Sequence, residues 1–208
     1  MFKRLLSMLV FAMLFVAATI NPASANTTVA VVLDTPAGMF SEPEKVNATF
    51  KETLDKIFTN SPNYTFLPME DANAYIQIYR EEHDLITSMN NESGFATLKP
   101  LKKEDYDNIC KYFGADYLIY ANVTSSIPTF SGGFFSASQS VNVVTDFRVW
   151  SNSKADFAYM KRVSAKGKST TIYAGGIGSS THAIEKGLKK DLQELEKESS
   201  KIRSAMTE

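Results

Sequence analysis

The chain has 208 residues, of which 12% are aromatic, and carries 22 basic against 23 acidic side chains. A net charge of −1 leaves no broad basic field to attract nucleic acid or anionic lipid. One cysteine, Cys110, excludes an internal disulfide, and 14 Phe with 9 Tyr supply the material for one packed core.

Met1-Phe2-Lys3-Arg4 is positive, and Leu5 to Ile20 is apolar except for Ser7 and Thr19. Asn21-Pro22 break the run, and Ala23-Ser24-Ala25 supplies the small-x-small pattern that signal peptidase needs. A spanning helix wants about 20 apolar residues; this run is shorter and closes on a cleavage-type site. Residues 1–25 are therefore expected to leave as a signal peptide, with residues 26–208 forming one periplasmic or secreted domain without an integral membrane span. Cleavage removes Lys3 and Arg4 and no acid, so the net charge becomes −3 over 183 residues. No cysteine stands directly after Ala25 to carry a lipid.

Thr28 to Leu33 is a β-branched apolar run and predicts a buried strand, ended by the turn residues Asp34-Thr35-Pro36-Ala37-Gly38. Val46, Phe50, Leu54, Ile57 and Phe58 give a helix from about Pro43, capped by Ser41 or Glu42. Tyr64 to Leu67 predicts a short strand. Glu70 to Glu82 predicts a helix with Tyr75, Ile76, Ile78 and Tyr79 on its apolar side. Residues 84–100 read as a loop or irregular helix. Lys102 to Phe113 is helical with Tyr106, Ile109, Cys110 and Phe113 inward, and Gly114 takes the left-handed position that ends it. Tyr117 to Val123 is a strong strand, and Ser125 to Ser140 a Gly/Ser-rich connection. Val141, Val143, Thr145, Phe147 and Val149 alternate along a half-buried strand. After a turn at Ser151–Lys154, its partner puts Phe157, Tyr159, Lys161 and Val163 on one face, with Thr170 to Tyr173 a further strand or an extension. Ser179 to Ile202 is the closing helix. Its inward row is Ala183, Ile184, Leu188, Leu192, Leu195 and Ile202, and its charged outer face is solvated. The fold class is α/β, a single mixed-sheet domain of about five strands with flanking helices, in the order β-α-β-α-α-β-β-β-α.

Four features carry a family resemblance: the opening strand Val29-Ala30-Val31-Val32, the helix Lys102–Phe113, the junction Gly114-Ala115-Asp116-Tyr117 leading into Leu118-Ile119-Tyr120-Ala121, and a long amphipathic helix after two antiparallel strands. The chain resembles bacterial envelope proteins of the amino-terminal TolB type, the curli secretion lipoprotein CsgG, and the lipoprotein activators of penicillin-binding proteins. The resemblance implies a mixed-sheet domain that binds other envelope proteins without catalysis, in which Gly114 and Asp116 are structural. Those lipoproteins carry an acylated cysteine at the mature start; this chain does not, which favours a soluble periplasmic or secreted form.

Catalytic and metal motifs are sparse. His83, within Glu81-Glu82-His83-Asp84, has neighbours that point to different sides of a helix, so it reads as an exposed helix residue. His182 falls in the first turn of the last helix. No Gly-x-Ser-x-Gly, His-Glu-x-x-His or Cys-x-x-Cys occurs. Cys110 reads as a small buried apolar residue, and a spatial Cys110–His pair stays open as a catalytic alternative. The Asn-x-Ser/Thr sequons at Asn26, Asn47, Asn63, Asn91 and Asn122 are taken as incidental. No cofactor, metal or catalytic residue is assigned.

Two segments bear on binding. Gly175-Gly176-Ile177-Gly178 leads into a helix whose N-terminus can hold an anion, although the spacing is neither that of a dinucleotide fingerprint nor of a phosphate loop. Ile127 to Gln139 holds Phe130, Phe134 and Phe135 in a Gly/Ser setting not spaced to fill a core, and exposed aromatics call for a cover. Partner contact and self-packing both meet that need. The expected function is non-enzymatic protein binding in the envelope, with Phe130, Phe134 and Phe135 as partner-binding residues and a homo-oligomer possible. The alternatives are a small-molecule or anion binder using Gly175–Gly178, and a hydrolase with an unrecognised site.

Overall fold

The computed structural model describes residues 26–59, 61, 63–87, 97–132, 136–172 and 179–207. The expected signal peptide lies outside the described residues.

Strand β1 (Thr27–Asp34) is apolar over consecutive residues because both its faces are covered. It runs parallel to β2 (Tyr64–Phe66) on one side and to β5 (Tyr117–Ser125) on the other. Parallel neighbours need crossovers. Helix α1 (Pro43–Ile57) links β1 to β2, and α2 (Met69–Glu82) and α3 (Lys103–Tyr112) lie between β2 and β5. From β5 onward the pairing is antiparallel. β7 (Ser136–Ser151) pairs β5 through Val143–Ser151 and β6 (Thr129–Gly132) through Ala137–Ser140, both on one edge. Its other edge pairs β8 (Asp156–Ile172). The result is one open mixed sheet of six strands, against the five expected.

Two apolar layers enclose it. Helices α1, α4 (Ser180–Glu196) and α5 (Ser199–Ala205) cover one face, burying Phe50, Leu54, Ile184, Leu188, Leu192 and Ile202 against Val31, Ile119, Val143 and Phe147. Helices α2 and α3 cover the other face over β1, β5 and the Trp150 end of β7, where Ala72, Ile76, Tyr106 and Ile109 meet Val32, Leu118 and Trp150. Away from that end the second face of β7 is less covered, and β7 alternates between buried Val141, Val143, Thr145, Phe147 and Val149 and the less buried Asn142, Val144, Asp146 and Arg148.

The end of α3 is legible atom by atom. Gly114 takes φ +57° and gives its N–H to Lys111 at 3.0 Å, while Ala115 N–H reaches Cys110 O at 3.1 Å, a Schellman closure. Asp116 then ties two strands together: it accepts from Thr28 N–H at Oδ2 (2.8 Å) and its own N–H bonds Thr28 O (2.8 Å).

Several expectations need correction. Ser125–Ser140 is not a loop throughout, because Thr129–Gly132 forms β6. Residues 84–100 include no helix among those described; β3 (Ile86–Thr87) and β4 (Thr97–Leu98) form a two-stranded ribbon instead. Ile78 is exposed, since the buried row of α2 is Met69, Ala72, Ile76, Tyr79 and Arg80. A register shift at Val149/Trp150 turns Phe157 to the Trp150 face, opposite Tyr159 and Val163. The closing helix is broken at Lys197–Glu198 into α4 and α5. Its charged side is not wholly solvated either, because Asp191 is buried.

Candidate functional site

Where β5 ends, the chain turns through Ser126–Pro128 and returns along β7 as β6. Thr129 and Phe130 are strand formers, and their ladder with Gln139 and Ser140 is reinforced by Ser131 Oγ and Ser138 Oγ, 2.7 Å apart. Phe130 stands directly opposite Gln139, yet 62% of it is exposed, and Ile127 nearby is 54% exposed. A Cβ at Gly132 would meet nothing within 4 Å, so the chain heads into open space here. Gln139 is buried beside this strand, and its Oε1 has no hydrogen-bond partner among the described residues. Phe130 is therefore not core. Phe134 and Phe135 lie outside the described residues, as does Gly175–Gly178.

A buried polar centre sits at the carboxyl end of β1, and the sequence reading did not anticipate it. The Arg80 guanidinium donates through Nε and Nη2 to Asp34 Oδ2 (2.9 and 2.5 Å) and through Nη2 to Tyr120 OH (2.9 Å). Its Nη1 donates to Leu85 O (3.2 Å) and Lys99 O (2.8 Å). Tyr120 OH also donates to Asp34 Oδ2. All five N–H groups of Arg80 are thereby used. Burial, then the nearby Asp34 charge, hold the Tyr120 phenol well above its usual range, so it acts as a neutral donor. Above it, Arg148 Nη1 donates to Tyr106 OH at 3.0 Å, and burial pushes that phenol up to about 12. A recess of about 100 Å³ opens beside Arg80, Tyr106, Tyr120 and Arg148. Because Arg80 has no N–H left for a ligand, this cluster is a clamp: it joins β1, α2, β5 and both sides of the β3–β4 ribbon. A charged residue at the end of an apolar strand, Asp34 after Leu33, was the signal available in the sequence.

The remaining candidates resolve locally. Cys110 is fully buried, its thiol donates to Ala115 O at 3.2 Å, and burial pushes it up to about 12, so it is a protonated core residue at neutral pH. His83 caps the end of α2 with its ring stacked 4.0 Å from Tyr79. His182 N–H bonds the N-cap Ser179 Oγ at 3.4 Å. Between α1 and α4 lies a cleft of about 370 Å³. Its rim mixes signs: Lys45 pairs with Glu42, and His182 lies 3.7 Å from Glu185. Among the described residues no group of three His, Cys, Asp or Glu could hold a metal ion, and no helix is long and apolar enough to cross a membrane.

No family model matches the chain, and no curated protein matches it. Solved structures similar to it include the hypothetical protein CT253 from Chlamydia trachomatis, at 11% identity over 87% of this chain and 98% of that one, with a TM-score of 0.41. The lipoprotein GNA1162 from Neisseria meningitidis is 12% identical over 68% of this chain and 83% of its own, with a TM-score of 0.35. The C-terminal domain of LpoB from Escherichia coli is 13% identical over 72% and 91%, with a TM-score of 0.29. Likeness at these values carries no argument about what this chain does.

Proposed function

We propose that this chain is an exported, non-enzymatic domain of the bacterial cell envelope that acts by binding another protein, through the end of the sheet where β6 folds back on β7. The observation that carries the reading is Phe130. It is a large aromatic on a four-residue strand, more exposed than buried, with Ile127 beside it and Phe134 and Phe135 next in the chain. An exposed aromatic on a paired strand suits the pocket of a partner, where such side chains contribute most of the binding free energy. Export rests on the signal-type segment Met1–Ala25. The buried Cys110, its thiol donating to Ala115 O, and Arg80, all of whose N–H groups are used, favour structure over chemistry.

The reading is tested by replacing Phe134 and Phe135 with Ser and measuring melting temperature and partner capture from the envelope fraction on the same protein. Intact melting with lost capture is expected. A steep fall in melting makes the phenylalanines core, and unchanged values of both place the binding surface elsewhere.

A further inference from the structure

β6 and Phe130 lie on one side of β7; β8 lies on the other. β8 runs 17 residues and pairs with β7 along its length, and no described strand pairs with its outer edge. The direction of its backbone groups follows from the neighbouring ladder. Asn142 N–H donates to Ser126 Oγ (2.9 Å), and its carbonyl accepts from Ser126 N–H (2.8 Å). Both backbone groups of Asn142 therefore point away from β8. Asn142 faces Lys166 in register, so the two form a non-hydrogen-bonded pair, and the N–H and C=O of Lys166 point outward. The same alternation turns the backbone groups of Ser164, Lys168 and Thr170 outward. Lys190 Nζ donates to Lys166 O at 2.9 Å, which agrees with that direction; the bond is exposed, and an added strand displaces it there.

The side chains of Ser164, Lys166, Lys168 and Thr170 are exposed. From Phe157 to Ile172 the strand holds Lys161, Arg162, Lys166 and Lys168 and no acid. Lys161 lies 3.4 Å from Glu198, and Arg162 lies 3.8 Å from Asp146. Lys166 and Lys168 have no ion-pair partner among the described residues.

This charge pattern discriminates between occupants. A second copy pairing antiparallel about Ser164 sets Arg162 opposite Lys166, and about Ala165 it sets Arg162 opposite Lys168. About Lys166 that residue meets itself, and about Gly167 it meets Lys168. Like charges directly opposite are destabilising, so self-pairing is opposed at each of these registers. A strand with acids at alternate positions turns the same contacts favourable. We propose that the outer edge of β8, over Ser164–Thr170, receives an extended acidic segment of a partner protein as an added strand. The main chain supplies affinity, and Lys166 and Lys168 supply selection by charge. This surface is separate from Phe130 and does not depend on its role.

The test uses the mature domain and two synthetic peptides, one alternating valine and glutamate, the other valine and lysine, with amide exchange read residue by residue. The glutamate peptide should slow exchange at Ser164, Lys166, Lys168 and Thr170. Lys166→Glu with Lys168→Glu should weaken its binding by about tenfold at unchanged melting temperature, and that variant should accept the lysine peptide instead. Phe130→Ser should leave peptide affinity unchanged; its loss would overturn the separateness of the two surfaces. Equal binding of both peptides to the wild-type domain, or absence of protection, would overturn the proposal. So would the same protection produced by raising protein concentration alone, which makes the occupant a second copy, or by anionic phospholipid vesicles, which makes it a membrane surface.

Discussion

Asp191 gives the sharpest physical prediction. It lies on α4 against β7, fully buried, with Thr145 donating to Oδ2 at 2.9 Å and Oδ1 without a partner among the described residues. Burial pushes its carboxyl up from 3.8 to about 6, and the Thr145 hydrogen bond only partly opposes that. The folded state therefore holds this proton more tightly than the unfolded chain. Its contribution to stability is full below the unfolded value and is lost as pH rises through about 6. Between pH 5 and pH 7.5 the expected loss is about 1.4 kcal/mol. Urea unfolding of the wild-type domain and of Asp191→Asn at those two pH values measures it. The wild type should be the more stable at pH 5 by about that amount relative to the variant's own change over the same interval. If Asp191→Asn shows the same pH dependence as the wild type, the carboxyl titrates as an ordinary acid and the description of the α4–sheet contact is wrong.

Other predictions concern packing and the clamp. Gly167→Ala places a Cβ 1.7 Å from Ala183 O, backbone against backbone, and should destabilise by about 3 kcal/mol or more in chemical denaturation; a change near zero would mean α4 does not press on β8. Arg80→Met leaves Asp34 buried and uncompensated and should cost about 3–5 kcal/mol, whereas Asp34→Leu with Arg80→Met should recover much of it. No recovery in the double variant would show that the Leu85 and Lys99 carbonyls, not the ion pair, carry the clamp. Native Cys110 should react with a thiol reagent far more slowly than the unfolded chain, and fast native modification would contradict its burial.

The sequence made the sheet and its helices legible wherever one residue pattern had one physical solution. The unbroken apolar run of β1, the alternation Val141 to Val149 and the row Leu188, Leu192, Leu195 each find the burial their spacing demands. Gly114 was readable because a left-handed helix end admits little else. What escaped depends on pairing across distance. β6 is too short and too rich in Ser and Gly to announce itself, and only β7 gives it a ladder. Phe157 changes face because of a bulge that no periodicity contains. Asp34, Arg80 and Asp191 are charged residues whose burial is decided by partners 46 residues away, Arg80 and Thr145. In the candidate site, Phe130 was singled out by its setting, while the direction of its side chain required the register with Gln139.

The central claim, that the domain binds a protein through the end of the sheet at Phe130, is tested most directly by site-specific photo-crosslinking in the exporting cell. A photoreactive phenylalanine analogue is placed at Phe130 and, in a second strain, at Tyr112, which is equally exposed on α3 at 64%. The account predicts one discrete envelope protein joined at position 130, lost when Phe134 and Phe135 are replaced by Ser, and no such product from position 112. A discrete product from position 112 with none from position 130 would contradict it.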